Sequence, residues 1–579
     1  MKLYYLLLFA LVLIFAKVNS YSQNPNNSDT KQTDTLTYKS ADILVTSDKL
    51  KHPILITQPQ SSINQDNLYY LSPSSVSEAF AKQPGISMIS SGEGITRPVI
   101  RGLASSRIKT VVDGLGMETQ VWDEQHGIGI NENDFTQAIA VLGPSTLLYG
   151  PDAIAGVMIF NDEIPMNLTT TKAKANAGFM SNGLGFFGGI DVLGNSGSSS
   201  FWKLSFNTKS ISDYRYDNNL RAFNTRFWRT GFNAIYGFKE DWGSIKFRYK
   251  LNFALYGILD PFELENPGFE DGEEYPHEFE SPYHSIVGNR FQVNSDVSVG
   301  GRKLNLAVSA ENDVRNEFEP HNGNPKLAEK FIGLTTNAVH FKTDYPVIAT
   351  DDFETKLGLR SDYSKMENTA PYSFIPDNNI LQTGVFFISN YKMTDWELTG
   401  GLSWDRSAVS TTNYNNLFEG NFDRDFSSVS GSAGLAYLPN ALTNLSLNLS
   451  SGFRAPNVNE LASKGFKPED QRNEYGDKNL KAEKVVGIDL SFTQTNGGAK
   501  YFASVFLQNY SNFIYLEQNN DLTTLSDTLS FNFLQKDVQF YGFELGWGFT
   551  KNWESSSSEF DVSFSTTKNN LKSVNYIIY

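Results

Sequence analysis

Residues 245–256 read IKFRYKLNFALY. Ile245, Phe247, Tyr249, Leu251, Phe253 and Leu255 share one face of an extended chain, and Lys246, Arg248, Lys250 and Asn252 share the other. Successive side chains of a strand point to opposite sides, so this is a two-faced strand. The same alternation recurs in WKLSFN (202–207), LNLAVSA (304–310), NLSLNLS (444–450) and EFDVSFS (559–565). A water-soluble sandwich alternates too, but its strands average about five or six residues, and the run at 245–256 is twice that. Crossing hydrocarbon takes about 9–11 tilted residues, apolar toward lipid and polar toward a lumen. The charges at Lys246, Arg248 and Lys250 suit a wet interior. Short turns such as LPNALTN (438–444) alternate with long polar segments such as 256–281, as in outer-membrane barrels. The chain therefore reads as mainly β. A transmembrane antiparallel β-barrel is expected over residues 166–579, with about seventeen strands counted by alternation.

The N-terminus fits an exported protein. Lys2 precedes an apolar run from Leu3 to Ala16, too short to cross a bilayer comfortably but right for a secretory signal. Residues 1–22 are read as that signal, leaving Gln23 first in the mature chain and sending it along the general secretory route. Residues 23–40 read as a flexible polar lead. The chain has no cysteine, which excludes a disulfide framework and a lipid-anchored cysteine. The formal charge of −16 argues against nucleic-acid binding.

Residues 41–165 differ in pattern from the long strands C-terminal to them. Short β-like runs (ILVTS, RPVIRG, IKTVVDG, QAIAVLG, GVMIF) alternate with glycine-rich turns. A helix is predicted to start near Ser74 or Ser75, bury Val76, Ala79 and Phe80, and stop at Pro84 and Gly85. VLGPSTLLYGPDAIAGVMIF (141–160) holds three glycines but no Lys-Ser or Lys-Thr pair, so it is not a phosphate loop. Its glycines serve backbone shape. A compact α/β domain of this size fits inside a wide barrel.

Several stretches, in order, resemble the TonB-dependent outer-membrane receptors, nearest to the metal- and siderophore-uptake branch. They are SVSEAFAKQPGISM, RPVIRGLASSRIKTVVDGLG and VLGPSTLLYGPDAIAGVMIF, then SGFRAPNVNELASKGF, YGDKNLKAEK and YGFELGWGF. The resemblance implies a barrel stoppered by an N-terminal plug in the outer membrane of a Gram-negative cell, embedded in outer-membrane lipid. It also implies Gly143, Pro144 and Gly150 in tight turns of the plug, and Gly156 where the last plug strand packs closely.

The outer membrane holds no ATP, so the resemblance implies work delivered by TonB with the ExbB–ExbD energy complex. TonB would add a strand to a short extended segment, for which Asp42, Ile43, Leu44, Val45 and Thr46 are the candidates; DTLTY from Asp34 is a weaker rival. Plug–barrel contact is expected of Arg97 and Arg101 with Glu460 and Glu483, since arginine holds carboxylates by paired bonds. For cargo, VWDEQHGIG (121–129) offers Asp123, Glu124 and His126, ligand types zinc accepts. It resembles the plug loop of the zinc-uptake branch, with Gln125 where that branch has Asp. His277, His284 and His321 are further metal candidates, beside nine carboxylates and no lysine or arginine between Asp260 and Glu280. That acidic stretch is equally a solvated charge run. No cofactor is required, and a metal ion or metal chelate is the expected cargo.

Two other readings share the barrel. A passive porin needs no plug, and a barrel enzyme needs a nucleophile, base and acid set on the wall; no serine–histidine signature is present, so the chain is not read as an enzyme. Finally, single-chain barrels of this type have an even strand count, about twenty-two in the plugged transporters. A count near seventeen therefore leads to the expectation that the barrel is incomplete at the C-terminus.

Overall fold

The computed structural model describes residues 56–571 and 576–577, apart from 66–67, 69–74, 93, 119–126, 133, 163–169, 198, 218–219, 259–278, 322–323, 374, 413–420, 468–471, 520–527 and 554–556. The plug contains β1 (Gln60–Asn64), α1 (Val76–Ala81), β2 (Ile86–Ser90), β3 (Thr96–Ile100), β4 (Ile108–Val112), β5 (Leu115–Gly116), β6 (Gln137–Leu142), α2 (Thr146–Tyr149) and β7 (Gly156–Asn161). Five of these strands form one sheet in the order β1-β6-β7-β4-β5, and β2 and β3 form a separate hairpin. Only the β4–β7 pairing is parallel within that sheet. The Ser75 side chain caps α1 by accepting the Glu78 N–H at 3.2 Å, and the helix buries Val76, Ala79 and Phe80. Gly85, with φ +75°, turns the chain into β2.

The glycine-rich stretch behaves as backbone chemistry demands. Gly143 has φ +93°, in the left-handed region that a side chain disfavours. At Gly156 a Cβ would stand 2.4 Å from the Val141 carbonyl oxygen, so only glycine lets β6 and β7 approach this closely.

Beyond the plug, the described residues hold seventeen strands of nine residues or more, from Lys172–Met180 to Ser557–Asn569, in one sheet curled into a barrel. Alternation along the chain implies the same number. Each long strand pairs antiparallel with the next; between Thr443–Arg454 and Glu483–Asn496 the chain inserts α3 (Val458–Ala462) and a small hairpin. Exposed apolar side chains such as Leu357, Leu402, Trp404, Val429 and Ile488 cover the outside. Ring pairs Phe353–Tyr391 and Trp396–Tyr437 stand beside the short turns, where aromatic girdles of membrane barrels lie.

The plug sits within the barrel and shares its core. Phe80, Ile100, Leu142 and Phe160 of the plug form one buried cluster with Val485, Tyr510, Phe513 and Phe540 of the wall. Val141, Leu147 and Val157 join Phe386 and Ile388 in a second. The Tyr510 hydroxyl also donates to the Ile154 carbonyl at 3.2 Å.

Candidate functional site

On one side, plug cations enter an acidic wall. Arg101 follows β3 at φ +54°, and its guanidinium is buried across the lumen boundary. Nε and Nη2 donate to the two Glu544 oxygens at 2.7 and 3.2 Å, and Nη1 donates to Asp489 at 2.5 Å. The group lies 4.0 Å from the Phe506 ring centre. Arg107 takes both oxygens of Glu483, at 3.2 and 2.6 Å, and donates to the Ile514 carbonyl at 2.6 Å. Farther round the wall, on the strand Phe353–Asn368, Asp362 takes Lys109 of β4 at 3.4 Å. Arg454, itself fully buried, ties Glu483 to Glu460, while Glu460 also accepts the Asn457 N–H that opens α3.

On the other side the signs reverse. Lys246 and Arg248 hold the plug's Asp113 at 2.9 and 2.7 Å. Asp162, just past β7, accepts Lys203 at 2.9 Å and Asn233 at 3.1 Å, and Arg248 approaches it to 3.3 Å. Lys250 pairs with Asp134 at 2.7 Å, Arg229 with Glu132, and Asn252 donates to the Gly129 carbonyl at 2.8 Å. The polar face of IKFRYKLNFALY is thus the wall that receives the plug. Such pairs fix geometry more than they add net stability, but removing one partner strands a buried charge at a cost of about 3–5 kcal/mol.

Two plug carboxyls titrate away from the usual range. Burial opposes ionisation of Asp113, yet Arg248 and Lys246 outweigh it and hold the group down at about 2. Burial lifts Asp152 to about 6, against the pull of Lys109 and of the hydrogen bond from Gln382, whose Nε2 donates at 2.7 Å.

Of the four expected contact residues, Arg101 and Glu483 both bridge plug and wall, but not to each other. Arg101 takes Asp489 and Glu544, and the plug partner of Glu483 is Arg107. Glu460 belongs to a wall-internal pair with Arg454, because its first duty is to cap α3. Arg97 is buried in β3, opposite Ile89. Sequence alone does not single out Arg107, Asp489, Glu544 and Arg454. Their signal is a buried-face charge in an alternating strand, legible for Asp489 in VVGIDLSF and for Glu544 in YGFELGWGF.

Asp42, Ile43, Leu44, Val45, Thr46, Asp123, Glu124, His126 and His277 lie outside the described residues, as does the His321 side chain. His284 is buried on the lumen face, its Nε2 3.8 Å from Glu317. Among the described residues no three His, Asp or Glu side chains converge as a metal site. His340, not singled out from sequence, is fully buried with Nδ1 2.8 Å from Asp362 and Nε2 3.5 Å from Glu311.

Residues 54–157 match the TonB-dependent Receptor Plug Domain, and residues 169–576 match the TonB dependent receptor-like beta-barrel. The chain belongs to the TonB-dependent receptor family. The receptor is 22% identical to the vitamin B12 transporter BtuB of Photobacterium profundum over 78% of this chain and 67% of that one. Its fold matches the copper transporter OprC with TM-score 0.69 at 17% identity, covering 88% of this chain and 79% of that one. It matches the FrpB iron transporter of Neisseria meningitidis with TM-score 0.67 at 15% identity, covering 86% and 77%. Receptors of this family are outer-membrane transporters that work with TonB, which sets aside the barrel-enzyme reading.

Proposed function

We propose that this receptor performs energised uptake of a metal ion or metal chelate such as a siderophore, with Asp42 to Thr46 as the segment that TonB pairs with and ExbB–ExbD as the source of work. The carrying observation is the plug itself, held in the lumen by buried ion pairs of opposite sign on its two sides. Passage requires those pairs to part together, and each buried charge left without its partner costs about 3–5 kcal/mol, so their sum calls for work from outside. Strand addition supplies a grip that depends on main-chain hydrogen bonds. A metal-type cargo is supported by the names of the copper and iron transporters whose fold it shares, by the acidic stretch 260–280 and by His126 beside Asp123 and Glu124. His277, His284 and His321 complete the candidate set.

Export of the chain by the general secretory route, with residues 1–22 removed, belongs to the same proposal. Deleting residues 42–47 should abolish accumulation in cells while leaving binding to purified protein unchanged. Zinc, copper, ferric chelates and cyanocobalamin form the binding panel, repeated with His126→Ala. Binding of none of these, or undiminished uptake after the deletion, would contradict the cargo and the coupling segment respectively.

A further inference from the structure

The described plug begins at Ile56, ten positions after Thr46, and its first two residues are seated on the wall. The Asn444 side chain donates to the Ile56 carbonyl at 3.0 Å. Thr57 is fully buried, with its hydroxyl 3.3 Å from that of Thr399. Its socket is Gly434, where a Cβ would collide with the Thr57 side chain, so glycine leaves the room that the threonine fills. Thr399 and Gly434 stand opposite each other on the strands Trp396–Thr412 and Asp423–Asn440. Past this seat the chain grips the plug instead. Gln58 is buried and both ends of its amide are used: Nε2 donates to the Pro144 carbonyl at 2.9 Å, and Oε1 accepts the Ser145 hydroxyl at 3.2 Å. The Pro59 carbonyl accepts the Leu142 N–H at 2.9 Å. Three hydrogen bonds thus tie residues 58–59 to the turn 142–145. That turn abuts the acidic wall: a Cβ on Gly143 would stand 3.1 Å from Asp489 Oδ2 and 3.5 Å from Arg101 Nη1, and those two side chains pair at 2.5 Å.

β1 is an edge strand of the plug sheet, paired with β6 alone among the described residues, and its first residue, Gln60, faces Val141. Without the Gln58 bonds, a pull on the chain ahead of Ile56 would open that ladder pair by pair from Gln60. With them, the load falls first on the turn that stands against the Arg101–Asp489 pair. We infer that Gln58 transmits the work of transport: it carries force past the Thr57 seat onto the turn 142–145, so that the Arg101 clamp parts before β1 peels from β6. The inference rests on the reading of residues 42–46 as the point where work enters, and it names what that work is done on.

The test applies the load directly, so it depends on neither TonB nor cargo. The purified protein, in a lipid bilayer, is held through a cysteine introduced at Ser40, the chain having none of its own, and pulled from the periplasmic side at constant force. A short step should mark release of Ile56 and Thr57 and be absent in Gly434→Val. The dwell before the next release should shorten about tenfold in Arg101→Ala, because forced release follows the barrier. It should shorten in Gln58→Leu as well, and adding Arg101→Ala to Gln58→Leu should shorten it no further. Asp489→Asn is the milder change to the same clamp and should follow the same pattern. A dwell that ignores both Arg101→Ala and Asp489→Asn, or that they shorten equally with and without Gln58, would overturn the relay. Uptake after deletion of residues 42–47 is a separate result, so the coupling segment and the relay fail independently.

Discussion

At the scale of single residues, Arg101 is the side chain whose removal has the clearest consequence. Arg101→Ala leaves Asp489 and Glu544 buried together without a cation, a loss of about 3–5 kcal/mol. The plug should then be cut by protease in isolated outer membranes, and adding Asp489→Asn with Glu544→Gln should restore resistance. Unchanged resistance of Arg101→Ala alone would count against the clamp. The two shifted carboxyls give opposite pH dependences. Asp113, lowered from 3.8 to about 2, contributes stability above its unfolded value that is lost as pH falls through about 2, so Asp113→Asn should cost about 2 kcal/mol at neutral pH. Asp152, raised from 3.8 to about 6, contributes stability complete below its unfolded value and lost as pH rises through about 6. Asp152→Asn should therefore gain up to about 3 kcal/mol over the parent near pH 7.5 and lose that gain near pH 4. Thermal midpoints across that range decide both. Arg101 and Glu483 are legible in the sequence because each lies in a recognisable motif. Their true partners are not, since Arg101 and Asp489 are 388 positions apart and only strand register brings them together.

At the scale of elements, period-two alternation carries nearly everything about the wall. It separates lipid-facing Tyr249 from lumen-facing Lys246, Arg248 and Lys250, because a side chain's face follows from its parity alone. The plug is harder to read, since buried runs such as IKTVV lack alternation and their order in the sheet is set by tertiary packing. Glycine is the exception that reads directly. Gly156→Ala places a methyl against the Val141 carbonyl, so β6 and β7 must part. Amide exchange in 137–142 and 156–161 should accelerate while the wall strands remain protected, and an unchanged exchange pattern would show that the close approach is not required.

At the scale of the whole molecule, the plug is oriented by charge. Its Arg101 and Arg107 meet carboxylates of one sector of wall, its Asp113, Glu132, Asp134 and Asp162 meet cations of another, and Lys109 meets Asp362 on a strand between the two. A plug turned about the barrel axis would set like charges together, at several kcal/mol for each buried pair. The net charge of −16 carries no hint of this arrangement, because paired groups of opposite sign cancel in the sum. The most direct measurement is ion conductance of the purified protein in a planar bilayer. The unaltered protein should stay closed under an applied potential, with openings once Arg101→Ala and Arg107→Ala are combined; steady conductance of the unaltered protein, like that of a porin, would contradict a lumen shut by its plug.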